Sequence, residues 1–127
     1  MLVLMVVGVF IPLEFPYAQF PVKTITGESL FPIVWEAIRR LETIGLNVIS
    51  TTCDGAKFNR KFFRLHDPSS ALVYKTRNPF SSGENRFMYF IADVPHLLKT
   101  VRNCWSNSGS HSKTRELWVS ATCTVSK

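Results

Sequence analysis

Apolar residues recur along this chain in two rhythms, and the order in which the rhythms change predicts the fold. Leu2 to Phe10 is a nearly unbroken apolar run containing only Gly8. That pattern predicts a central strand covered on both faces. Phe15 to Val22 (FPYAQFPV) predicts a shorter strand, and its two prolines place it at an edge or a bulge. The polar stretch Thr24 to Ser29 (TITGES) signals a helix start, with Thr26 or Ser29 as the cap and Pro32 within the first turn. Leu30, Val34, Ala37, Ile38, Leu41 and Ile44 then recur at three- and four-residue steps, with Glu36, Arg39, Arg40 and Glu42 largely between them. This is an amphipathic helix of about four turns, and Gly45 ends it.

A second cycle follows. Leu46 to Cys53 (LNVISTTC) is β-branched and apolar, hence a strand, closed by Asp54-Gly55. Ala56 to Leu65 (AKFNRKFFRL) predicts a helix that is basic on one side, stopped by His66-Asp67-Pro68. Residues 67 to 85 read as loop. Arg86 to Ala92 is another strand, and Asp93-Val94-Pro95 turns into a helix from about His96 to Trp105. Residues 106 to 115 (SNSGSHSKTR) look like a linker. The order is β-β-α-β-α-β-α. Such alternation favours an α/β sheet, with an antiparallel ribbon joined to a parallel part.

Composition narrows the class. The chain has 127 residues, 46% hydrophobic, enough for one small globular domain. Fifteen lysines and arginines against nine acidic residues give +6, a surplus that suits a polyanionic partner as well as a plain solvated surface. Cys53, Cys104 and Cys123 are odd in number and show no C-x-x-C spacing, so neither a disulfide framework nor a zinc ribbon is supported. A reducing compartment fits this usage. Met1 to Pro12 could pass for the apolar part of a signal peptide, but it lacks a basic lead and a clean cleavage site and is too short to span a bilayer, so it reads as a buried strand and no membrane partner is expected.

Asp54 is the most informative single position. It stands where a strand ends and a helix begins, the place where ligands and catalytic groups collect in α/β sheets. A carboxylate there can hold a divalent cation or simply make an Asp-Gly turn, and Gly55 would let the backbone turn sharply. Asp93 repeats the position after the next strand, where it could equally cap a helix. Lys99 and Arg102 share one face of that helix. Lys57, Arg60, Lys61 and Arg64 share the preceding helix and could meet a DNA backbone. His96 has no metal-ligand partners in spacing, which favours a structural or hydrogen-bonding role. Trp35, Phe62 and Phe63 sit at core spacing. No phosphate-binding, dinucleotide, zinc-protease or serine-hydrolase motif is present.

Several strings, taken in order, carry a resemblance. LMVVGVFIPLEFPYAQFP, then TGESLFPIVWEAIRRLETIGLNVISTTCDGAKFNRKFF, then YKTRNPF and FIADVPHLLKTVRNCWSNS, resemble the P-element transposases, including the THAP-domain transposases of animals. The resemblance runs over about residues 2 to 118. It implies an RNase H-like fold, Mg²⁺-dependent cleavage and joining of DNA at transposon ends, GTP as a non-hydrolysed cofactor, and a nuclear location. By position, Asp54 resembles the second aspartate of an Asp, Asp, Glu metal site. Asp93 and Lys99 fall where a GTP-binding insertion begins, and so could contact the nucleotide.

The departures shape the expectation. The first catalytic aspartate would precede residue 1 and the glutamate would follow the insertion, with Glu116 a poor substitute. The zinc-binding THAP domain has no counterpart in these residues, and the tail SATCTVSK no longer resembles the family. The expected architecture is a partial RNase H-like domain over residues 1–105, lacking its first strand and final catalytic helix. Residues 106–127 would form a linker, the start of the insertion and a divergent tail. Such a fragment is expected to be inactive alone and to bind Mg²⁺ and GTP poorly. It could pair with itself or with a full-length transposase. The alternative is a domesticated module that binds nucleic acid or transposase without catalysis.

Overall fold

The computed structural model describes residues 1–82 and 85–108. Among these residues five strands and three helices appear in the order β1 (Leu2–Val7), β2 (Glu14–Phe20), α1 (Gly27–Thr43), β3 (Ser50–Cys53), α2 (Lys57–Arg64), β4 (Lys75–Arg77), β5 (Phe87–Ala92) and α3 (Val94–Ser108). This is a mixed α/β arrangement compatible with a partial RNase H-like fold. α3 runs three residues past Trp105, so part of the expected linker is helical. Beyond it, the tail with Glu116 and Cys123 lies outside the described residues.

The strands form two sheets. β1 and β2 pair antiparallel, while β3, β5 and β4 form a second sheet in that spatial order. β3 runs parallel to β5, and β4 runs antiparallel to it. Pro16 of β2 has the consequence expected of it. β2 lies at an edge, and the register slips as Leu4 faces Ala18 and Met5 faces Pro16, leaving Tyr17 as the extra residue.

The structure corrects the expectations for β1 and for the segment after α2. β1 stops at Val7, and it is not covered on both faces. Its residues alternate, with Val3, Met5 and Val7 exposed. The run ends because Gly8 turns back. Its N–H donates to the Leu13 carbonyl at 2.6 Å, and a Cβ at Gly8 would lie 2.5 Å from the Ile11 carbonyl oxygen. The segment read as loop also contains a strand, β4, whose three residues are held by pairing with β5.

α1 follows the predicted pattern closely. Thr26 caps it, its hydroxyl accepting from the Ser29 N–H while the Ser29 hydroxyl accepts from the Thr26 N–H. The helix therefore starts early, which puts Pro32 at the sixth position rather than in the first turn. Leu30, Val34, Ala37, Ile38 and Leu41 are buried, whereas Ile44 is exposed. Gly45 adopts φ +87°, and the N–H groups of Gly45 and Leu46 close onto the carbonyls of Glu42 and Leu41.

The core lies between α1, α2 and the inner face of the second sheet. Phe62 and Met88 are its fully buried members, with Leu30, Val34, Ile38, Val73 and Phe90 around them. α1 and α2 meet closely at Gly27, where a Cβ would lie 2.8 Å from the Lys61 Cβ. Glu42, expected on the polar side, is buried. Its carboxylate accepts from the Val48 N–H and the Asn78 amide, each at 2.8 Å, and pairs with Arg86 at 2.6 Å.

Among the described residues no strand pairing joins the two sheets: β1 pairs only with β2, and β3 only with β5. Between them runs a groove of about 390 Å³, walled by β1 and by Ser50, Thr51 and Thr52 of β3, and floored by Val34, Ala37, Ile38 and Leu41 of α1.

Candidate functional site

The carboxyl ends of the parallel strands β3 and β5 lie side by side, since Cys53 pairs with Ala92. Asp54 and Asp93 are the next residues on each strand, and the Asp93 N–H donates to the Cys53 carbonyl at 2.9 Å. The structure therefore brings together two sequence candidates that lie far apart in the chain.

Asp54 is half-buried and already has work in the fold. Its Oδ1 accepts from the Ala56 N–H at 2.9 Å and from the Asn59 side-chain amide at 2.8 Å. This is an Asx turn that leads the chain into α2, whose N-cap residue Ala56 has no side chain able to cap. The buried Asn59 is thus part of the site. Sequence reading missed it, though its five-residue spacing from Asp54 puts it on the first turn of α2, within reach back to the strand end. Gly55 does not play the role expected of it. Its φ is not positive, and an added Cβ would meet only the Leu97 side chain at an ordinary 3.7 Å.

Next to Asp54, the burial of the Cys53 thiol, with the Asp54 charge as a lesser cause, pushes its pKa up to about 11. That thiol stays protonated and unreactive near neutral pH.

α2 presents Lys57, Arg60, Lys61 and Arg64 to solvent on one face, opposite the buried Asn59 and Phe62. Lys61 is paired with Glu28 of α1. Lys57, Arg60 and Arg64 form no ion pair with any described carboxylate. Three uncompensated cations therefore begin within a few residues of Asp54.

Asp93 sits at the N-cap position of α3, its carbonyl accepting from the Leu97 N–H at 3.0 Å. Lys99 is exposed further along α3, and no contact joins the two. The His96 ring is exposed and makes no hydrogen bond among the described residues, while its carbonyl accepts from the Thr100 hydroxyl.

A family model described as TNP-like, RNase H N-terminal domain matches residues 1–67. The chain belongs to this family. The match runs from β1 through α2 and takes in both Asp54 and the basic helix face. A TNP-like RNase H N-terminal domain is a transposase-related RNase H-like domain, which points to nucleic acid as the class of partner. No curated protein and no solved structure matches the chain. Among the described residues, no helix is long and apolar enough to cross a membrane.

Magnesium chemistry of the RNase H kind needs several oxygen ligands held around two ions. The chain offers Asp54, one of whose oxygens is committed to Ala56 and Asn59, and, beyond the matched domain, the neighbouring Asp93. No group of three His, Cys, Asp or Glu residues comes together among the described residues. The described residues by themselves do not fit a two-metal centre.

Proposed function

We propose that this chain is a fragment of a P-element-type DNA transposase, inactive alone, in which Asp54 is one carboxylate of a metal site completed only in a longer protein. One observation carries this reading: in a transposase-related domain, Asp54 stands at the carboxyl end of β3 with the uncompensated cations of α2 beside it. A phosphodiester backbone lying along α2 would be led to that carboxylate. GTP contact at Asp93 and Lys99, pairing with a full-length transposase, and a nuclear location belong to the same proposal and rest on the sequence resemblance.

The free cations also favour a second reading, a module that binds DNA without catalysis. Incubating the purified chain with supercoiled plasmid and Mg²⁺ tests the first reading. No nicking is expected, and nicking that disappears in Asp54→Ala would overturn the claim that the fragment is inactive. Duplex affinity should fall with salt. Neutralising Lys57, Arg60 and Lys61 to glutamine should reduce the slope of log K against log salt by about 0.9 for each phosphate that is no longer neutralised. Lys61 should contribute least because it is paired with Glu28. An unchanged slope would remove α2 from the interface under either reading.

A further inference from the structure

The outer face of the second sheet has a composition that packing does not explain. Along β5, Met88 and Phe90 point into the core, so Phe87, Tyr89 and Ile91 point outward, 39%, 46% and 45% exposed. On the neighbouring edge strand, Lys75 and Arg77 point the same way, Lys75 opposite Tyr89 and Arg77 opposite Phe87. The Lys75 ammonium lies 4.7 Å from the centre of the Phe87 ring and 5.5 Å from that of Tyr74. The Arg77 guanidinium lies 6.0 Å from the Phe87 ring centre. Neither cation is paired with a described carboxylate.

We propose that this face binds single-stranded nucleic acid, with bases stacking on Phe87 and Tyr89 and phosphates held by Lys75 and Arg77. The inference rests on the nucleic-acid reading above and adds a surface separate from α2. Exposed rings beside unpaired cations are the combination that single strands require. Each base offers a flat face for stacking, and the backbone supplies one negative charge per nucleotide. A duplex hides those faces within its own stack, so the rings select for unpaired bases. Lysine on an edge strand also deters unwanted strand pairing, which accounts for the cations but not for the two rings beside them. A protein covering this face would bury two unpaired cations, which is costly without matching carboxylates. A nucleic acid strand brings the compensating charge with it, in keeping with the chain's net +6.

The test is fluorescence anisotropy of a labelled twelve-nucleotide oligothymidylate with the full chain. Phe87→Ala and Tyr89→Ala should each weaken binding by roughly 10-fold with the salt slope unchanged, because stacking is not ionic. Phe87→Trp, which keeps a ring, should bind at least as tightly as the parent, separating loss of stacking from damage to the fold. Lys75→Gln with Arg77→Gln should lower the salt slope by about 0.7 per cation. Full affinity in both alanine variants would overturn the proposal. So would a dimer in sedimentation that Phe87→Ala dissociates, since a second copy would then own the face. Loss of duplex binding on neutralising Lys57 and Arg60, with oligothymidylate binding indifferent to the ring variants, would refute this site and leave the function proposed above standing.

Discussion

The indole Nε1 of Trp35 donates a hydrogen bond to Nε2 of His66 at 3.0 Å, tying α1 to the end of α2. An indole N–H can only donate, so Nε2 must be the unprotonated nitrogen. Nδ1 then carries the hydrogen and donates to the Phe62 carbonyl at 2.9 Å. The ring is packed among Phe31, Phe62 and Phe90. Burial lowers its pKa below the ordinary histidine value, against the opposing pull of the carbonyls of Phe62 and Phe63.

That geometry sets a pH dependence. With the folded pKa depressed, the unfolded chain takes up a proton at a higher pH than the folded one. The stability from neutral His66 is complete above the unfolded value of about 6.5 and is lost as pH falls from there toward the lower folded value. Urea unfolding between pH 8 and pH 5 should show stability declining over the acidic half of that range. His66→Gln, which keeps an acceptor for Trp35, should flatten the decline. An identical slope in the variant would show that His66 is not the titrating group.

Glu42 holds three segments with one carboxylate: the turn after α1, the residue after β4 and the lead into β5. Removing its charge leaves Arg86 without its partner, and one Arg86 nitrogen, Nη1, is already buried without a hydrogen bond among the described residues. Glu42→Gln should cost about 3 kcal/mol, the low end for breaking a buried pair, because the Arg86 side chain keeps 23% exposure. Denaturant midpoints would measure this. The double variant Glu42→Gln with Arg86→Gln should recover part of the loss. No recovery would mean that the carboxylate acts through Val48 and Asn78 rather than through the ion pair.

Two glycines should respond oppositely to alanine. Gly27 faces the Lys61 Cβ at 2.8 Å and the Phe62 backbone nitrogen at 2.9 Å from where its Cβ would be, so Gly27→Ala should force α1 and α2 apart at a cost of about 1–3 kcal/mol. Gly55 has room and an ordinary φ, so Gly55→Ala should leave stability unchanged or raise it by about 0.4–1 kcal/mol through the unfolded chain. Thermal melts of the two variants side by side would check the contrast. Equal destabilisation at both sites would contradict it.

What the sequence makes legible follows from the range of the forces involved. α1, its Thr26 cap and its Gly45 terminus depend on residues a few positions apart, and all three are readable. β4 is not, because three residues carry no periodicity and only pairing with β5 makes them a strand. Glu42 falls on the polar side of the sequence pattern because its partners Asn78 and Arg86 lie 36 and 44 positions away. Taken alone, the sequence around Asp54 reads as an Asp-Gly turn, and its ligand role rests on the resemblance. Its bonds to Ala56 and Asn59 establish the turn, and its place beside Asp93 at the ends of parallel strands has no local signal. The continuous apolar run of β1 suggests two covered faces, yet apolar residues alone do not say what lies against them.

The groove between the two sheets has a kinetic consequence. Along β1, successive N–H groups alternate between the β2 side and the groove side, and only the former have strand partners. Deuterium uptake along Leu2–Val7 should therefore be two-tempo, every second amide exchanging within the earliest time points while its neighbours lag. β3 should show the same alternation on its own groove side. The inner strand β5, bonded on both sides, should be the slowest element to exchange. A uniform rate along β1 would mean that the groove is closed in solution.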